Sequence, residues 1–356
     1  MNSKKPLTVL ITGATGHLGA AIIAELLKNR KYKMKLLLRS PEKIDRFIEL
    51  DDAFEGLKQS KNYFKGDIRK PEDIKKALEG VDLVIHTCHS HEYWHGGEFL
   101  YDVNVHGAQN LIEQINMAPR VKKVVLIGSY SAHVAGKVPS IKSYMEEVKA
   151  ASPRENSSKS KRLIQSLFEE ACSQNSWDLT VVSPPYMIGP YQINPAIFTA
   201  LFHLVHFRPL SFAPIGGLNL ADVRDVAKIT VDSLEQENGK INRKLVTGEN
   251  VSYKEMFQIS NKTVNNKSKV HTIPSFLIKL LPKTHLFGDF GKKALVAKKY
   301  LEKNSDNRKM IPLKDSIKAQ IDFAIKTEYF KSSFHIYKWI YRRYFKKQGK
   351  SMEATQ

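Results

Sequence analysis

A chain of 356 residues with 42% apolar and 26% charged side chains can build one large domain with a smaller companion, and its apolar residues are spread rather than blocked, which excludes a disordered or fibrous chain. Lys and Arg number 56 against 36 Asp and Glu, a formal charge of +20 that favours anionic partners: nucleotide phosphates, an acidic membrane surface or nucleic acid. Two cysteines, Cys88 and Cys172, without finger spacing, suggest neither a disulfide framework nor a structural zinc site, and no run of eighteen apolar residues is present to span a membrane.

Leu7 to Ile11 is a short apolar run, too short for a signal sequence, and it reads as a strand. A glycine loop, Gly13 to Gly19, follows, and Ala20 to Leu27 has the apolar face of a helix. Further strands are expected at Lys35 to Leu38, Leu83 to Ile85, Val124 to Ile127 and Leu179 to Val182, with helices at Pro71–Leu78, Glu98–Met117 and Lys161–Ser173 between them. This alternation predicts an α/β fold, a doubly wound parallel sheet of Rossmann type covered on both faces. Ser152–Ser160 is the most loop-like internal stretch. Beyond Pro184 the pattern loosens under repeated prolines, which predicts a smaller domain, although Ser252 and Glu255 have capping-box spacing ahead of a helix. The expected division is 1–183 for the nucleotide-binding domain with 219–249 returning to it, 184–325 for a substrate domain, and 326–356 for a basic, aromatic extension.

Thr12-Gly13-Ala14-Thr15-Gly16-His17-Leu18-Gly19 places its glycines between a strand and a helix. In that setting Gly13 permits the tight turn, Gly16 lets backbone approach a pyrophosphate, and Gly19 lets helix pack on strand, while the helix N-terminus offers N–H donors and a favourable dipole. Thr15, His17 and Leu18 complete the loop. At the end of the second strand, where an acidic residue would bind a ribose 2′-hydroxyl, stands Arg39, with Lys43 one turn on. A guanidinium there favours NADP over NAD.

The motifs TGATGHLG (12–19), GDI (66–68), VNVHGAQNL (103–111), VVLIGSYSAHVAG (124–136), SPPYMIGP (183–190) and ADVRDVA (221–227) resemble the extended short-chain dehydrogenase/reductase superfamily, its NAD-dependent epimerase/dehydratase and dihydroflavonol-reductase-like branch. The resemblance implies that Asp67 and Ile68 flank the adenine, that Thr87 and Cys88 line the cofactor, that Asn104 braces active-site backbone, and that Pro184 and Met187 lie beside the nicotinamide. It implies that Asp225 orders a helix start. It also implies a catalytic set of serine, tyrosine and lysine, of which Ser131 and Lys161 stand in place. The tyrosine position, four residues before Lys161, is Ser157. A serine hydroxyl is a far weaker acid than a phenol, so proton transfer should fall steeply unless Tyr144 folds inward to replace it.

Other candidates have blander readings. The loop from Cys88 to His95 is rich in ligand types, yet pocket lining or a solvated loop accounts for it without a metal. His133 near Ser131 is a proton carrier or simply packed nearby. Phe330, Phe334, Tyr337, Tyr341 and Tyr344 form one stripe of a C-terminal helix beside Lys331, Lys338, Arg342 and Lys346, fitting either packing on the smaller domain or an acidic membrane surface.

Two functions remain open. One is an NADP-preferring oxidoreductase acting on a carbonyl or secondary alcohol of a small-molecule substrate, or a related epimerase or dehydratase. The other is a catalytically degenerate nucleotide-binding protein serving regulation or assembly. A cytoplasmic location with peripheral membrane contact and a homodimer fit either, and no specific nucleic-acid module is present.

Overall fold

The apolar run after Pro6 folds as β1 (Thr8–Thr12), which leads through the glycine loop into α1 (His17–Asn29). The computed structural model describes residues 5–58, 63–90, 96–130, 153–193, 212–213, 217–236, 239–263, 265–273 and 310–327. Then come β2 (Lys33–Leu38), α2 (Glu42–Leu50), β3 (Tyr63–Lys65), α3 (Pro71–Leu78) and β4 (Leu83–His86). The single helix expected over Glu98–Met117 is divided: α4 (Gly96–Tyr101), a π-helical turn (Asp102–His106) and α5 (Gly107–Asn116). After β5 (Lys123–Ile127) comes α6 (Pro153–Gln174). The stretch expected as a loop is thus helical from Pro153, a residue type whose fixed φ suits a first helical position.

β6 (Asp178–Ser183), α7 (Val223–Asp232) and β10 (Ile241–Leu245) complete the large sheet and its cover. Its order is β10-β6-β5-β4-β1-β2-β3, every pairing parallel. Alternate residues along β1 enter opposite cores. Val9 and Ile11 join α1, α2 and α7, whereas Leu10 joins α3, α5 and α6, so both faces are sealed.

Beside this layer, β7 (Tyr186–Ile188), β9 (Gly217–Asp222) and β11 (Glu249–Ser252) form a three-stranded sheet, and β8 (Phe212–Ala213) pairs with β12 (His271–Thr272). They share a third core with α8 (Tyr253–Thr263) and α9 (Leu313–Lys326). Ser252 and Glu255 make the reciprocal capping box: Glu255 N–H donates to Ser252 Oγ at 3.1 Å and Ser252 N–H to Glu255 Oε2 at 2.9 Å. Of segment 219–249, α7 and β10 lie on the large sheet, while residues 219–222 run in β9 of the small one. Ser131, His133, Tyr144, the 91–95 stretch and nearly all of 326–356 lie outside the described residues.

Candidate active site

The strand order reverses at β1. β2 and β3 lie to one side and β4 to the other, so a crevice opens where the C-terminal ends of β1 and β4 part. The glycine loop occupies it. Gly13 has φ +73°, and a Cβ there would lie 2.6 Å from Cys88 N, so the segment after β4 presses directly on the loop. The Thr87 hydroxyl donates to the carbonyls of Thr12 (2.9 Å) and Gly13 (3.2 Å). A Cβ on Gly19 would meet Gly13 O at 2.2 Å, which shows how closely α1 sits on the loop.

Gly16 is exposed and caps α1 with no side-chain hydrogen bond, leaving the first N–H groups directed at open space. Thr15 is partly exposed beside it. Leu18 and Ile68 send their side chains into the core, so only their backbone can meet a ligand. The His17 ring turns under the loop, where the Gly189 and Pro190 carbonyls and the Asp222 carboxylate surround it and burial pushes it down to about 4. Its Nε2 is enclosed without a hydrogen-bond partner among the described residues.

Arg39 is exposed immediately after β2, and its charge reaches both Asp67 and Cys88. Burial opposes ionisation of Asp67, but Arg69, donating to Asp67 Oδ2 at 2.7 Å, holds the carboxyl below its ordinary range. Arg69 also pairs with Asp102 at 3.3 Å, linking this end of the crevice to the π-helical turn. Within that turn the buried Asn104 accepts from Ser90 N–H at 2.7 Å and donates to Ser90 O at 3.1 Å. The backbone it braces is therefore the segment after β4. Burial pushes the Cys88 thiol up to about 11, which leaves it un-ionised.

Lys161 extends from α6 to the end of β5, its Nζ donating to Gly128 O at 3.4 Å. Burial pushes its ammonium down to about 8. Pro184 is buried and its carbonyl accepts from Tyr130 N–H at 3.0 Å, while Met187 is half-buried in β7. Ser157 lies in α6 one turn before Lys161, its side chain outside the described set. Among the described residues no cluster of His, Cys, Asp and Glu has the arrangement of a metal site.

Asp225 does not order the start of α7. Asp222 does, accepting from Arg224 N–H at 2.8 Å, while Asp225 accepts from Ile311 N–H at 2.7 Å. Roles for Asp222, Arg69, His86 and Gln320 were not foreseen from the sequence: His86 and Gln320 meet partners 74 and 131 residues away, whereas Asp222 with Arg224 and Arg69 with Asp67 form local Asp-x-Arg pairs that were legible.

Residues 9–248 match the NAD dependent epimerase/dehydratase family. The chain belongs to that family. This epimerase/dehydratase family member is 30% identical over 256 residues to sterol demethylase protein B of Methylococcus capsulatus (strain ATCC 33009 / NCIMB 11132 / Bath), covering 71% of this chain and 73% of the relative. It is 28% identical to cinnamoyl-CoA reductase 1 of Arabidopsis thaliana, over 62% of this chain and 64% of that protein. UDP-glucose 4-epimerase from Bifidobacterium longum, solved in complex with NAD+ and UDP, superposes with a TM-score of 0.66 at 17% identity, covering 90% of this chain and 99% of the other.

The family is NAD(P)-dependent, and the crevice fits such a nucleotide. Gly13 makes the tight turn against the segment after β4, Gly16 leaves open space before a helix N-terminus with no side-chain cap, and Lys161 stands at the end of β5. No described helix is long and apolar enough to cross a membrane.

Proposed function

We propose that this family member is an NADP-preferring oxidoreductase acting on a carbonyl or a secondary alcohol. The observation that carries the reading is Lys161, a partly buried ammonium on α6 brought to the end of β5 beside the glycine-loop crevice. The N–H groups of α1 and the loop backbone would hold the pyrophosphate, and Arg39 a ribose 2′-phosphate. A bound nicotinamide supplies or accepts the hydride. Ser131 would hold the carbonyl oxygen, and the Lys161 charge would favour an anion near it and hold the nicotinamide ribose.

A second reading has its own support. Ser157 occupies the position one turn before Lys161 where the family resemblance expects a phenol, which favours a protein that binds the nucleotide without turning over substrate. Titration with NADPH and NADH, followed by a carbonyl panel monitored by NADPH loss, separates the two. NADPH is expected to bind more tightly, and Arg39→Asp to weaken NADPH more than NADH; equal losses would remove the NADP preference. If the native site is degenerate, Ser157→Tyr should raise turnover roughly 10²-fold or more. If Tyr144 has taken over, Tyr144→Phe should abolish native turnover instead. No NADPH oxidation in any variant would leave the enzyme reading without support.

A further inference from the structure

Beyond residue 248, where the family match ends, α9 returns to the large domain and packs on the segment following β7. Gln320, on α9, is buried, 2% exposed. Its Oε1 accepts from Gly189 N–H at 3.0 Å, and its Nε2 donates to Gln192 Oε1 at 3.1 Å. The amide therefore bridges both ends of the turn 189–192. That turn is held in unusual backbone: Gly189 has φ +132° and Tyr191 φ +74°, a value that a bulky residue adopts only where its surroundings impose it. The Tyr191 ring is fixed edge-on between Phe54 at 5.2 Å and Phe323 of α9 at 5.6 Å. α9 is tied down elsewhere too, by Asp225 accepting from Ile311 N–H just before it and by the Arg46 guanidinium donating to Thr327 O at 2.7 Å just after.

The other side of the turn faces the nucleotide crevice. The Gly189 and Pro190 carbonyls lie against His17, the first residue of α1 and the neighbour of Gly16. An α9 side chain, the turn, the His17 ring and the helix N-terminus thus stand in contact one after another.

We propose that Gln320 is a positioning residue for the nucleotide site: by fixing the 189–192 turn it sets His17 and, through it, the N–H groups of α1 that receive the pyrophosphate. The proposal rests on the NAD(P)-binding reading of the crevice. It assigns to the region after residue 248 a part in cofactor affinity, through a side chain that never touches the cofactor.

The test uses the full-length protein and two ligands. NADPH needs the pyrophosphate site; adenosine 2′-monophosphate occupies only the adenosine end and lacks that group. Gln320→Met keeps the side-chain length but removes the acceptor for Gly189 N–H. It is expected to weaken NADPH by ~10-fold or more while adenosine 2′-monophosphate stays within about 2-fold, since an unpaired buried N–H is costly enough to shift the turn. Gln320→Glu retains an acceptor oxygen at the same reach and should recover most of the loss. Should Gln320→Met fail to fold, Gln192→Met, which releases only one end of the amide, should still give a smaller loss, about 3-fold, confined to NADPH. Unchanged NADPH affinity in the folded variants overturns the proposal. So does a parallel loss for both ligands, which would make α9 merely structural. Failure of the native protein to bind NADPH or NADH would overturn the nucleotide reading itself, and is seen before any variant is made.

Discussion

A methyl group on Gly19 would collide with Gly13 O at 2.2 Å, whereas one on Gly16 would find that oxygen at 3.2 Å and otherwise open space. The two glycines therefore serve different ends, and substitution separates them. Gly19→Ala should cost about 1–3 kcal/mol of stability, because helix and loop must move apart. Gly16→Val should melt close to the native protein, since its φ of −76° and ψ of 167° suit any residue, yet NADPH affinity should fall at least ~100-fold as the side chain fills the pyrophosphate space. Thermal melts beside NADPH titrations check both, and a Gly16→Val protein that binds normally would remove the glycine loop from the site. Such roles were legible because loop, strand and helix are adjacent in sequence. The role of Gln320 was not, since the N–H it accepts is 131 residues away, and the Thr12–His86 contact spans 74. No local pattern encodes such pairs.

At the scale of elements, the apolar strands β1, β2, β4, β5 and β6 declared themselves, while β3 and the strands from β7 to β12 did not. β10 reads Ile-Asn-Arg-Lys-Leu, is partly exposed, and among the described residues pairs on one side, with β6, so it lacks the unbroken apolar run of a central strand. Central strands have their own liability. His86 ends β4, 3% exposed, with Nδ1 2.7 Å from Thr12 Oγ1 of β1, and burial pushes it down to about 4 from an ordinary 6.5. A histidine held neutral in the fold but free to protonate when unfolded favours the native state fully above pH 6.5. That advantage is lost as pH falls from 6.5 toward 4, by up to about 3 kcal/mol. The melting temperature should accordingly drop between pH 7 and 5, and drop less in His86→Gln. Superimposable pH profiles for the two proteins would show that His86 is not responsible.

For the whole molecule, a cut at 183 that leaves out the returning segment 219–249 would pass through a core. Val223, Val226, Ala227, Ile229 and Val231 of α7 belong to the same apolar cluster as α1, and Phe323 of α9 joins it. A fragment of residues 1–183 would expose that face of α1 and the flank of β6, and should aggregate or bind a hydrophobic dye, while 1–249 should be more soluble. A monomeric, cooperatively melting 1–183 would contradict this. The family match, ending at residue 248, takes in the same elements as the expected return of 219–249, because β10 and α7 are recruited after the chain has visited the smaller domain.

That order of recruitment matters while the protein is being made. The ribosome releases the glycine loop first and Gln320 about 300 residues later, roughly 15–60 s at ordinary elongation rates. For much of that interval α1 lacks its partner helix α7, and for all of it the brace on the 189–192 turn is absent. The growing polypeptide therefore presents an apolar helix and an unfinished anion site to the cell, a substrate for chaperones rather than for cofactor. Tight nucleotide capture should therefore wait for α9, and nascent chains stalled before α9 are expected to hold NADPH more weakly than chains extended past it.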